Sequence, residues 1–237
     1  MSAPHVTTER RDGVMIVHLD DAKANALSFE VIAAVGAAID DAEADDSVGA
    51  LVIHGRPGRF SGGFDLGVMF GDDMSAIIGL VADGGALVHR LYGSSIPVVA
   101  ACTGHALAAG ALVLLGCDVR VGADVDAKVG LNEVAIKMVL PDWAFTIAED
   151  RLSKRHVQRA LANARITTPR EAVDVGYIDE VVPAADVLER AVAVAAELAS
   201  TLDPSAYQRT IRKMRGTVLD LMEQQIAADR AAGTSPV

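Results

Sequence analysis

Two turns rich in glycine and alanine, and one isolated glutamate, are where this sequence offers chemistry. The first turn lies in residues 58–66, GRFSGGFDL, where three glycines straight after an apolar run make the chain turn sharply and show its backbone. The second is the small-residue stretch Ala106 to Ala111. Side chains as small as those of Ala108, Ala109 and Gly110 let another molecule reach the backbone, and N–H groups that open a helix can point at an oxygen carrying negative charge. Glu133 stands among Val129, Leu131, Val134 and Ile136, and a partly buried carboxylate has a raised pKa and works as a base near neutral pH. Backbone donors around one oxygen, with a carboxylate beside them, suit removal of a proton from the carbon next to a carbonyl, through an enolate. Each feature also has a structural reading. Small residues let a helix pack close to a strand, Asp65 can cap its turn or the helix after it, and Glu133 can pair with Lys128, Lys137 or Arg151.

Other chemistries find no support. The glycine loop continues Phe64-Asp65 instead of the Lys and Ser or Thr of a phosphate-binding loop, and no GxGxxG occurs. There is no Ser/His/Asp order, metal-ligand cluster or disulfide framework, and the lone His105 is read as structural. Cys102 and Cys117 sit in apolar segments, as unpaired small hydrophobes do.

The elements that must hold these residues read as α/β. Residues 97–120 form a buried strand (98–102), a tight turn at Thr103-Gly104 and a buried helix. Residues 14–19, 49–54 and 117–122 read as further strands, and 127–134, with Glu133 inside it, as an extended segment. Ser28 caps an amphipathic helix over 29–41. Helical periodicity over 74–92 is interrupted at Gly84-Gly85, and Pro141 opens a helix to about residue 152. Helices over 154–162, 169–175 and 185–202 follow, with a short strand in GYIDEVVP before the last. The tail from Pro204 is amphipathic, with Leu219, Met222 and Ile226 on one face, which must bury against its own core or a neighbouring subunit. Strand, strand, helix recurs, which suggests a stacked architecture.

Composition narrows the setting. With 51% hydrophobic but only 4% aromatic residues, the interior is built from Ala, Val, Leu and Ile, which suits α/β layers. A formal charge of −11 argues against nucleic-acid and anionic-membrane partners. No segment reads as a leader or as long enough to span a membrane, so a soluble, cytoplasmic protein is expected.

The GRFSGGFDL loop, the PVVAACTGHALAAGALVLLGCDVR block and the VGLNE segment, in that order, resemble the crotonase superfamily of enoyl-CoA hydratases and isomerases. The similarity runs from KANALS (23–28) to REAVDVGYIDEVVP (170–183). It implies a spiral of ββα units, with residues 1–183 as the core holding an acyl-CoA site and 184–237 as a helical region that packs between subunits of a homotrimer or hexamer. It also implies a coenzyme A thioester substrate of fatty-acid metabolism and no separate cofactor. Carried over by position, the thioester oxygen is held by the N–H groups of Gly62 and Ala109. Ala24, Ala26, Leu27, Asp65 and Leu66 line the coenzyme A groove, and Glu133 is the base. Pocket walls are expected from 69–91 and 138–145.

Hydratases of this kind use two glutamates to hold and activate water, and here the first position is Leu112, which cannot orient water by hydrogen bonding. One carboxylate does suffice to take a proton at C2 and return it at C4. The GALVLLGCD and GLNE…LPDW patterns resemble mitochondrial-type Δ3,Δ2-enoyl-CoA isomerases. That activity is expected first. Hydration is the alternative, with Asp142 as a candidate second acid; a non-catalytic acyl-CoA binder, thioester hydrolysis and C–C cleavage are the others.

Overall fold

The computed structural model describes residues 5–234. The elements in chain order are β1 (Val6–Arg11), β2 (Val14–Leu19), α1 (Phe29–Glu43), β3 (Ala50–Gly55), β4 (Gly58–Ser61), α2 (Leu66–Met69), α3 (Met74–Tyr92), β5 (Val98–Cys102), β6 (Gly104–Leu107) and α4 (Ala109–Gly116). They continue with β7 (Val119–Ala123), β8 (Val129–Gly130), α5 (Asp142–Arg151), α6 (Val157–Leu161), α7 (Pro169–Val175), β9 (Glu180–Val182), α8 (Val187–Thr201) and α9 (Pro204–Thr234).

One sheet has the order β1-β2-β3-β5-β7-β9 and a smaller one β4-β6-β8. Successive turns of chain place one strand in the large sheet, the next in the small sheet, and then a helix. This is the expected spiral of ββα units. Strands β2, β3 and β5 are buried along almost their whole length, as parallel strands covered on both faces must be. α8 lies across β2, β3, β5 and β7 on one face, while α1, α3 and α4 belong to the larger core on the other.

Four strands differ from expectation. β1 pairs antiparallel with β2 through Asp12-Gly13, both at positive φ (52° and 77°), which matches the twist of a two-residue hairpin. β4 and β6 were expected as loop and turn. They pair because Gly104 lets the two backbones approach so closely that a Cβ there would lie 2.2 Å from the carbonyl carbon of Gly58. The segment expected to be extended over 127–134 pairs only at Val129–Gly130, and a 3₁₀ turn, Val134–Ile136, follows Glu133.

Helix ends follow their sequence signals. Ser28 Oγ accepts from Val31 N–H at 3.2 Å, and Thr168 with Glu171 closes a capping box, each cap contributing about 1 kcal/mol. α3 runs through Gly84-Gly85 without interruption. It is also long and apolar enough by itself to cross a membrane, contrary to expectation, but it packs against α1, α4 and α9. Leu219, Met222 and Ile226 of α9 bury against the chain's own core.

Candidate active site

β4 and β6 run side by side and end in the two turns singled out above. A Cβ on Gly63 would sit 3.0 Å from Ala108 Cβ and 3.4 Å from Ala109 N, so the turns touch. Ala108 has φ 51° and ψ −127°, a conformation that costs an alanine on the order of 1–3 kcal/mol and persists only when its surroundings enforce it. Its N–H is tied to Gly130 O (3.0 Å) and its carbonyl accepts from Ala111 and Leu112. Gly110 is required because a Cβ there would meet Ser61 O at 2.4 Å. This packing fixes Ala109 as the first residue of α4, buried, with an N–H that donates to no acceptor among the described residues.

The second donor is not the expected one. Gly62 N–H donates to Ala24 O at 2.8 Å, and Gly63 N–H to Ser61 Oγ at 3.2 Å. Beyond them the chain pairs with Leu27, through Leu27 N–H to Gly63 O (2.8 Å) and Asp65 N–H to Leu27 O (3.2 Å). Donors alternate along such a pairing, so Phe64 N–H points away from Leu27, and it has no acceptor among the described residues. Free backbone N–H groups in a folded interior are rare and call for a partner. The free N–H of this turn is therefore that of Phe64 and not that of Gly62. The sequence signal was available in part, since Gly63 is the turn glycine (φ 97°) and Phe64 follows it.

Both turns open on a pocket of about 370 Å³, whose lining includes Phe64, Ala108, Leu112, Glu133, Met138 and Trp143. The walls come from the two expected segments, Met69 to Val81 on one side and Met138 to Trp143 on the other. Glu133 is 8% exposed and its Oε2 has no hydrogen-bond partner. Burial pushes its carboxyl up to about 7, against a smaller opposing effect from N–H groups of its own residue and Asn132. No ion pair with Lys128, Lys137 or Arg151 is present among the described residues. Arg151 instead donates to the carbonyls of Leu115, Cys117 and Asp118. Leu112, buried to 1%, is the apolar neighbour on α4.

Asp142 is exposed in the first turn of α5 and does not line this pocket; its charged neighbour is Asp229, whose carboxyl is raised by burial and then by Asp142. The expectation that Asp142 supplies a second acid there is thereby corrected. The groove residues divide. Leu66, 63% exposed, lines the pocket, and Ala24 is exposed beside Gly62. Ala26 is half-buried, Leu27 buries its side chain in the core, and Asp65 caps α2 by accepting from Gly67 N–H at 2.7 Å. Asn25 escaped the sequence reading. At φ 51° and 3% exposed, it donates to Leu19 O, Arg59 O and Phe60 O and so pins the loop that holds Gly62. A larger cleft, about 610 Å³, at the α8–α9 junction includes none of these residues.

A family model described as enoyl-CoA hydratase/isomerase matches residues 9–236. The mouse mitochondrial enoyl-CoA delta isomerase 1 is 33% identical over 226 residues, 94% of this chain and 78% of that protein. A Thermus thermophilus protein with the provisional name enoyl-CoA hydratase is 33% identical over 205 residues, 81% of this chain and 77% of that one. The crystal structure of human mitochondrial delta3-delta2-enoyl-CoA isomerase superposes with a TM-score of 0.91 at 30% identity, over 97% of this chain and 90% of that one.

Proposed function

The chain belongs to the enoyl-CoA hydratase/isomerase family, with the crotonase fold, and within it we propose that it moves the double bond of an enoyl-CoA thioester from C3=C4 to C2=C3, with Glu133 as the only base. The observation that carries this reading is one unpaired carboxylate in an apolar pocket whose α4 wall presents Leu112. The thioester oxygen accepts from Phe64 N–H and Ala109 N–H. Glu133 takes a proton from C2, the electron pair of that C–H bond forms C2=C3 as C3=C4 opens, and the same carboxyl returns the proton to C4. Charge that develops on the oxygen is met by donors already in place, each worth about 10²- to 10³-fold in rate. A carboxyl held near 7 exchanges protons readily in both directions at neutral pH. Base and donors complete the chemistry without a separate cofactor. Leu66 lines the pocket, and with the backbone of Ala24, Ala26 and Leu27 it takes the coenzyme A portion, Asp65 holding α2 in shape beside them. Exposed Met214 and Leu221 on the outer side of α9 suit the contact of a homotrimer or hexamer.

Hydration of a 2-trans-enoyl-CoA is the second reading, favoured by the likeness to the Thermus protein. Wild type and Glu133→Gln, assayed with a 3-enoyl-CoA and a 2-trans-enoyl-CoA, separate the two. Migration lost by about 10²- to 10⁴-fold in the variant, with little hydration in either protein, supports the isomerase. Glu133-dependent hydration as the main activity overturns it. Tight acyl-CoA binding with no turnover in wild type would make the protein a binder.

A further inference from the structure

Two aromatic side chains of the pocket, those of Phe64 and Trp143, rest in a notch cut into α3 by consecutive glycines. A Cβ on Gly84 would lie 2.3 Å from Phe64 Cε1 and 2.4 Å from its Cζ. One on Gly85 would lie 2.8 Å from Trp143 Cε2 and 2.9 Å from its Nε1. Glycine inside a helix costs about 1 kcal/mol relative to alanine, and α3 carries two in succession where these rings press on it. The two contacts differ in freedom. Trp143 is wholly buried and has nowhere to move, whereas Phe64 is half-buried and borders the pocket. Its backbone is fixed by the pairing with Leu27, so only side-chain torsions decide where the ring lies.

We propose that Gly84 sets the usable depth of the acyl pocket by seating the Phe64 ring against α3, so that the Gly84–Phe64 pair determines the length of acyl chain the protein accepts. With any side chain at position 84, the ring must leave the notch, and its open side is the pocket. Val81, three residues earlier on α3, and Leu112 line the same space, so a chain end meets hydrocarbon and its affinity follows the apolar area it buries. The inference rests on the acyl-CoA reading of this site.

Trp143 is the only tryptophan of the chain and lines the pocket, so its fluorescence reports occupancy without turnover. Wild type, Gly84→Ala, Phe64→Leu and the double variant are titrated with butanoyl-, octanoyl-, dodecanoyl- and hexadecanoyl-CoA. Gly84→Ala is expected to weaken dodecanoyl- and hexadecanoyl-CoA by about tenfold or more relative to butanoyl-CoA, the equivalent of about 1.4 kcal/mol. Phe64→Leu shifts preference toward longer chains, and adding it to Gly84→Ala restores them. Equal length profiles in wild type and the folded Gly84→Ala protein overturn the inference alone. If wild type binds no acyl-CoA of any length, the functional reading falls and this inference with it. Should Gly84→Ala lose its fold by circular dichroism, Phe64→Leu alone decides: an unchanged profile overturns the proposal and a shift toward longer chains upholds it.

Discussion

Asp118 and Glu133 are carboxylates both largely withdrawn from water, one with a charged partner and one with none. Asp118, between α4 and β7, accepts from Val98 N–H (2.7 Å), Tyr207 OH (2.9 Å) and Arg215 Nη2 (2.7 Å). Arg215 in turn donates to Tyr92 O at 2.8 Å and stacks over the Tyr92 ring at 4.4 Å. The contacts of Tyr207 and Arg215 tie α9 to the core and to α3, and that of Val98 N–H ties Asp118 to β5. Around Glu133 Oε2 has no partner, and burial outweighs the opposing N–H groups of its own residue and Asn132. A paired buried acid fixes where elements sit. An unpaired one destabilises the fold when charged and holds a proton that it can give up near neutral pH.

The comparison breaks first, and hardest, at Arg215. Arg215→Ala leaves Asp118 without its counter-charge and with two donors in place of three, and it removes the ring contact, so stability should fall by about 3–5 kcal/mol in urea denaturation. Below the new transition, double-bond migration should stay within a few fold of wild type. Loss of migration equal to that of Glu133→Gln in a folded protein would erase the distinction between the two acids.

Glu133→Gln should do the opposite to stability. The folded-state pKa of about 7 lies above the ordinary 4.5, so between these values the folded protein binds more protons than the unfolded chain. Stability from this group is complete below about pH 4.5 and is lost as pH rises through about 7. Glutamine removes that loss. The variant should therefore match wild type near pH 5 and exceed it by about 2–3 kcal/mol near pH 8, measured by denaturant midpoints at both values. In wild type the same ionisation should make kcat/KM rise with pH through about 7. Equal stabilities at the higher pH would mean that Glu133 is solvated after all.

Much of the site was legible because it is local. Glu133 stands out by its apolar neighbours, and Leu112 by the missing second acid. Ser28 and Pro141 mark helix starts through chemistry contained in a few residues. What was illegible depends on distant partners. Gly62 was carried over by position as the donor the family resemblance implies, yet a carbonyl 38 positions away in the chain, that of Ala24, engages its N–H. β4 and β6 have too few side chains to show a period, and pair because Gly58 and Gly104 touch. The Gly84-Gly85 pair reads as a break until the rings of Phe64 and Trp143 are seen against it.

Tyr207 gives the finest test of the contrast. Its hydroxyl is one of three donors to Asp118, and burial followed by the Asp118 charge raises the phenol well above its ordinary range. The proton thus stays on the ring at any pH at which the protein is handled. Phenylalanine keeps the ring and deletes this donor, leaving Val98 N–H and Arg215 in place. A hydrogen bond to a charged group contributes about 1.5–3 kcal/mol, and the two remaining donors limit the damage, so Tyr207→Phe should lose about 1–2 kcal/mol. Because no proton is taken up or released, the loss should be the same near pH 6 and near pH 8, in contrast to the pH-dependent gain at Glu133. A loss that varied with pH would show that this contact is coupled to a proton taken up or released, and the two acids would then differ in degree and not in kind.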